Sequence, residues 1–228
     1  MKFLNPKTDF AFRKIFGSEE SDDILVSFLN AVLELADPYQ ITTVQIIDPY
    51  QAPKIVGMKD TFVDVKVIDQ QGKNYIIEMQ VLNVEGFEQR VLLNACKAYA
   101  SQLKKGEKYH LLTEVIALTI TDFTMFKTSP EIITSFKLRA EKQPDLIYHD
   151  DLELVFVELS KFKVAEEELK TVAEKWLYFL QEAGDLRVIP KNLSTEAAIV
   201  HAFKIANKAG LTEEELVDQE HREMYIQD

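Results

Sequence analysis

Residues 61 to 81 constrain the fold more tightly than any other stretch of the chain. TFVDVKVI (61–68) and YIIEMQV (75–81) both alternate side chain by side chain, and the DQQGKN between them carries one glycine. Alternation at period two marks half-buried strands, and two such runs joined by a short glycine-bearing turn read as an antiparallel hairpin. In the first strand Val63, Val65 and Val67 are expected to point one way, and Phe62, Asp64, Lys66 and Ile68 the other. In the second, Tyr75, Ile77, Met79 and Val81 share a face opposite Ile76, Glu78 and Gln80. A three-residue loop of Gln70, Gln71 and Gly72, with Gly72 left-handed, sets Asp69 opposite Lys73. Counting back puts Asp64 opposite Glu78 and Phe62 opposite Gln80.

Directly opposed side chains have Cβ atoms about 4.5–5.5 Å apart, and like charges placed there repel. A divalent cation would relieve the repulsion, because Mg²⁺ takes oxygen ligands and often uses one or two carboxylates with a substrate phosphate. In that reading Asp64 and Glu78 hold the ion, and Gln80, two residues on, orients the attacking water. The plain alternative makes Asp64, Lys66, Glu78 and Gln80 the solvated side of the hairpin, with Lys66 neutralising either carboxylate. D-x₁₃-E-x-Q by itself does not decide between them.

Helical spacing flanks this hairpin. TDFAFRKIF (8–16) reads as a first helix with Thr8 as its N-cap. Ile24, Leu25, Phe28, Leu29, Val32 and Leu35 recur at helical intervals, so a second helix is expected over 21–35, before Asp37-Pro38. ITTVQIID follows as a strand. A helix over 86–105 buries Phe87, Val91, Ala95, Ala98 and Leu103. Its opposite stripe is Arg90, Asn94, Lys97, Ser101 and Lys104, of which Arg90, Lys97 and Lys104 are candidates for contacts with a phosphate backbone. The bland readings are an Arg90–Glu88 pair and, for the lysines, a solvated helix end. VIALTITDF reads as a central strand, LELVFVEL (152–159) as another, and the chain from about Val164 as helical and acidic.

The 228 residues suffice for one buried core, and a net charge of −12 argues against binding nucleic acid through the whole surface. No apolar run reaches the roughly 20 residues that span a bilayer, and MKFLNPKTDFAFRKIF lacks the apolar core of a signal peptide. With Cys96 as the single cysteine, a reducing compartment follows, and cytoplasm is the expected location. Cys96 has no evident activating partner, and His110, His149, His201 and His221 are too scattered for a zinc cluster. Tyr99, Trp176 and Tyr178 read as core packing. Neither a phosphate-binding P-loop nor a G-x-S-x-G elbow occurs.

Read in order, PKTDFAFRKIFGSEE (6–20), LVSFLNAVL (25–33), KDTFVDVKVIDQQGKNYIIEMQV (59–81), Arg90, AYASQLKKGEKYHLLTEVIALTITDF (98–123), ELSKF (158–162) and EKWLYFL (174–180) resemble the PD-(D/E)XK nuclease family transposases. The resemblance covers about four-fifths of the chain. It implies an α/β fold with a restriction-endonuclease-like core: a mixed sheet flanked by helices over 1–163, and a helical extension over 164–228 packed on it as one unit. It further implies an Mg²⁺-dependent endonuclease (Mn²⁺ substituting) that acts on DNA in recombination or with a mobile element. Asp64 and Glu78 would be the ligands, and Gln80 stands where the superfamily's lysine is found. Lys66, on the same face, is the candidate to supply the missing charge, and Asp9, in the N-terminal motif, is either a helix-capping residue beside Thr8 or an auxiliary of the site. Asn94 departs from the tyrosine common in relatives. Cutting both strands needs two centres, which makes a homodimer the expectation. A nuclease-fold module that only binds DNA or a protein, and an Mg²⁺-dependent ribonuclease, are the competing readings.

Overall fold

The computed structural model describes residues 2–51 and 61–212. Lys59 and Asp60 of the quoted stretch, His221 and the charged tail lie outside them. Helix α1 (Asp9–Phe16) starts as expected at Thr8, whose hydroxyl accepts from the Ala11 amide. Helix α2 (Asp22–Val32) is shorter than its apolar spacing suggests, ending before Leu35. Strands β1 (Val44–Ile46), β2 (Tyr50–Gln51), β3 (Thr61–Phe62), β4 (Val65–Asp69) and β5 (Asn74–Gln80) follow, then helix α3 (Phe87–Ser101). After β6 (Val115–Thr121) come β7 (Ile133–Lys137), β8 (Arg139–Ala140), β9 (Gln143–Ile147) and β10 (Leu152–Glu158), then helices α4 (Val172–Glu182) and α5 (Ala197–Ile205).

Six strands form one mixed sheet in the order β1-β4-β5-β6-β10-β7. The β5–β6 and β6–β10 pairs are parallel and the others antiparallel. Every residue of β6 is buried, as befits a central strand covered on both faces. One face of the sheet carries α1, α2, α4 and α5, whose Phe12, Phe16, Phe28, Trp176, Phe179 and Phe203 pack with Val65, Tyr75, Ile77, Leu118 and Val157. Trp176 is buried, and its indole donates to Ser27 Oγ at 3.1 Å. The other face is covered by α3, through Ala98 against Ile76 and Val115, and through Phe87 and Val91 against Phe156. This is the restriction-endonuclease-like α/β arrangement: a mixed sheet between helices.

The hairpin keeps the expected register. Asp69 N–H donates to Lys73 O, Gly72 sits at φ +82°, and β4 pairs with β5 through Val67↔Tyr75 and Val65↔Ile77. Asp69 caps the turn, accepting from the amides of Gln71 and Lys73 and from Tyr75 Oη–H.

TFVDVKVI is not one strand, however. The ladder stops at Val65; Thr61 and Phe62 turn away to pair with β2, so Phe62 lies opposite Tyr50 rather than Gln80. Val63 consequently joins the α3-side cluster instead of following Val65 and Val67. The break has a local cause. Asp64 Oδ2 accepts the Met79 amide at 2.9 Å, so a side chain rather than a strand satisfies that donor. Helix α3 also stops short of 105, leaving Leu103 and Lys104 beyond its end. Strands β7 to β9 had no counterpart in the sequence reading.

Candidate active site at the broken hairpin

Asp64 stands at the break before β4, Glu78 and Gln80 near the end of β5, and Asn94 and Arg90 on the overlying α3. The period-two phase of β5 buries Tyr75, Ile77 and Met79 against the large core and turns Glu78 and Gln80 to the α3 side. On α3, residues 90 and 94 are one turn apart and face that same ground.

The carboxylates are not on a solvated face. Glu78 is 8% exposed, and the Asp64 side chain 11%. Burial pushes the pKa of both carboxyls upward. The charge of Asp64 adds to the rise at Glu78, while Asn94 and Arg90 oppose it. Asn94 Nδ2 donates to Glu78 Oε1 at 2.7 Å. At Asp64 the Met79 amide and Arg13 oppose the rise, and the charge of Asp9 reinforces it. Arg13 donates to Asp64 Oδ1 through Nε at 3.1 Å and Nη2 at 2.9 Å.

Gln80 is held at both ends of its amide. Its Oε1 accepts from Arg90 Nη2 at 2.5 Å, and its Nε2 donates to Leu82 O at 2.6 Å. Arg90 also lies over the Phe87 ring, 5.4 Å from the centroid, and its guanidinium donates to Gln80.

The remaining candidates divide. Lys97 Nζ donates to Thr61 Oγ1 at 3.2 Å, which ties α3 to β3. Lys104 is exposed past the end of α3, where helical phase no longer holds it on the Arg90–Asn94–Lys97 stripe. Lys66 is opposite Ile76 in the ladder; burial pushes its pKa down, and Asp48 is the charge that opposes the shift. Arg13, not Lys66, therefore neutralises Asp64. Asp9 is exposed in the first turn of α1, one turn before Arg13, with Thr8 acting as the cap.

Two residues of the site escaped the sequence reading. Asn94 was set aside because its side chain differs from the tyrosine of relatives, yet it makes the hydrogen bond that orients Glu78. Arg13 lies within PKTDFAFRKIF, and its spacing of four from Asp9 is the signal in the sequence that points to it.

The donor set suits a hard divalent ion. Both carboxylates are desolvated, the charge of Asp64 raises the proton affinity of Glu78, and Asn94 Oδ1 is buried with no hydrogen-bond partner. No group of three His, Cys, Asp or Glu among the described residues converges on a metal position. Two carboxylates completed by water and substrate phosphate are what Mg²⁺ characteristically uses.

Other motif residues brace the site. Lys7 pairs with Asp122 at 2.9 Å, and the Asp122 amide donates to Gln80 O, joining the N-terminal motif to the ends of β5 and β6. Glu158, fully buried at the end of β10, accepts from the amides of Met125 and Phe126 and from Lys161. Tyr99 donates to Asp151, which pushes its phenol up to about 12.

Among the described residues no helix is long and apolar enough to cross a membrane. No curated protein and no solved structure matches the chain. A family model, PD-(D/E)XK nuclease family transposase, matches residues 6–228, and PD-(D/E)XK nucleases typically use divalent metal ions. The chain belongs to the PD-(D/E)XK nuclease family transposases.

Proposed function

We propose that the protein is an Mg²⁺-dependent DNA endonuclease that hydrolyses phosphodiester bonds, acting in recombination or with a mobile element. The observation that carries this reading is the pair of buried carboxylates, Asp64 and Glu78, held by separate donors on the α3 side of the sheet. Burying two like charges without a cation between them is costly, and function is the usual reason such an arrangement persists.

Asp64 and Glu78 are the residues that would hold the ion. When bound there, a divalent cation polarises the phosphate and lowers the pKa of a water molecule. Around it the chain's own groups position the reaction. Asn94 orients Glu78, and the Met79 amide orients Asp64 through Oδ2. Gln80, clamped between Arg90 and Leu82 O, brings a neutral amide rather than an ammonium to the attacking water. Arg90 is exposed and carries further N–H donors for a phosphate oxygen. Lys97 extends the same stripe along the backbone of the nucleic acid, and Lys104 would contribute only at long range. Asp9 remains an auxiliary through its charge. Cutting both strands would take a homodimer.

Nicking of supercoiled plasmid by the purified protein with Mg²⁺, Mn²⁺ or EDTA is the direct test, beside Asp64→Ala and Glu78→Ala. Metal-dependent cutting that both substitutions abolish is expected. No cutting under any metal, with DNA still bound, would make the chain a binding module. A matched RNA substrate distinguishes a ribonuclease.

A further inference from the structure

We infer that Arg13 is a latch on the proposed metal site, a built-in cation that competes with the divalent ion for Asp64. The inference rests on the nuclease reading. Asp64 Oδ2 accepts one N–H, from the Met79 amide, and Oδ1 accepts two from one guanidinium. A carboxylate has about four lone-pair positions, so three are taken and a guanidinium charge already sits against the group an incoming cation would use. Coordination through Oδ1 requires Arg13 to leave, and coordination through Oδ2 is opposed by its charge.

The two partners differ in freedom. The Asp64 side chain is 11% exposed and pinned by the backbone, whereas that of Arg13 is 50% exposed on a long flexible stem. Release therefore moves Arg13 and leaves Asp64 in place. Asp9, one turn earlier on the same face of α1, supplies negative charge beside which the guanidinium can remain. Once released, the planar fork matches a phosphate as well as it matches a carboxylate. Arriving substrate thus favours the exchange: phosphate recruits the guanidinium while the ion takes the oxygen. Arg13 is a positioning residue in this scheme, coupling metal occupancy to nucleic acid.

Calorimetric titration of the full chain with Mn²⁺ alone, without nucleic acid, tests the latch. Arg13→Gln is expected to bind Mn²⁺ about threefold to fivefold more tightly than the unaltered protein, the worth of a partly exposed ion pair. Arg13→Lys keeps the charge but loses the fork and should fall between them. Lys14→Gln removes a charge from the same helix and should leave the affinity unchanged, and Asp64→Asn should abolish the tightening. Circular dichroism confirms that each variant is folded. Unchanged or weaker binding by Arg13→Gln overturns the latch while leaving the nuclease reading intact. Equal tightening by Lys14→Gln also overturns it, since the effect would then be general charge. If neither the unaltered protein nor Arg13→Gln binds Mn²⁺, latch and metal site fail together.

Discussion

Asn94, on α3, reaches across to β5 and donates a 2.7 Å hydrogen bond to Glu78 Oε1, while its own Oδ1 is buried without a partner. The pair joins the helix to the strand at the carboxylate on which the proposed chemistry depends. It also makes the surroundings of Glu78 testable without any substrate.

Glu78→Gln should stabilise the fold at neutral pH. The Glu78 carboxyl titrates above its ordinary 4.5 because it is buried. A raised folded value means its stabilising contribution is complete below the unfolded value and is lost as pH rises through the folded one. At neutral pH the native protein therefore carries an unfavourable buried charge that the amide lacks, and the amide adds a donor near Asn94 Oδ1. A gain of about 1 kcal/mol is expected, the scale of one net hydrogen bond. Urea denaturation should show the gain at neutral pH and its closure near about pH 4, where the acid is protonated in both states.

Asn94→Ala should weaken the site more than the fold. Without the amide, Glu78 loses the first of the groups that hold its pKa down, so its proton affinity climbs further. The acidic limb of the nicking profile should move to higher pH, and Mn²⁺ binding should weaken. Asn94→Asp, which adds a like charge, should be worse. A profile that does not move would make Asn94 a packing residue only.

Gln80→Lys, which restores the lysine of the superfamily, should impair this protein. The new ammonium would meet the Arg90 guanidinium that now donates to Gln80 Oε1. An opposing charge worth ~1.4 kcal/mol in the transition state slows cutting about tenfold. Adding Arg90→Gln should recover part of that loss, and single-turnover nicking of the four members of the cycle measures the coupling.

Lys161→Met should destabilise the protein by about 3 kcal/mol, because it leaves the buried Glu158 carboxyl without its ion-pair partner. Lys161 also donates to Phe126 O and Glu131 O, so the loop between β6 and β7 loosens with it. Glu158→Gln in the same chain should return much of the loss in a urea titration. A change no larger than that of a surface lysine would contradict the buried pair.

Local patterns in the chain were sufficient for the elements whose signal lies within a few residues. Period two determined the faces of β5, and the Asp69–Gly72 turn determined the hairpin register, since a one-residue slip would have exposed Tyr75, Ile77 and Met79. Thr8 placed the start of α1, and the apolar run of VIALTIT placed the central strand. Asp64, Glu78 and Gln80 could be nominated together because one hairpin carries them, and the ordered motifs pointed to the right family.

Tertiary structure decided everything that depends on contacts between distant residues. TFVDVKVI alternates throughout, yet it breaks at Asp64 because that side chain finds the Met79 amide and Phe62 finds Tyr50. Strand β7 follows no clear alternation of burial, being an edge strand paired only with β10. Arg13 neutralises Asp64 from 51 residues away, while Lys66, nearer in sequence, does not. Asn94 meets Glu78 because α3 crosses β5 at that point. Pattern in a sequence reports which side chains leave water; which of the buried ones then share a hydrogen bond is settled only when the elements pack.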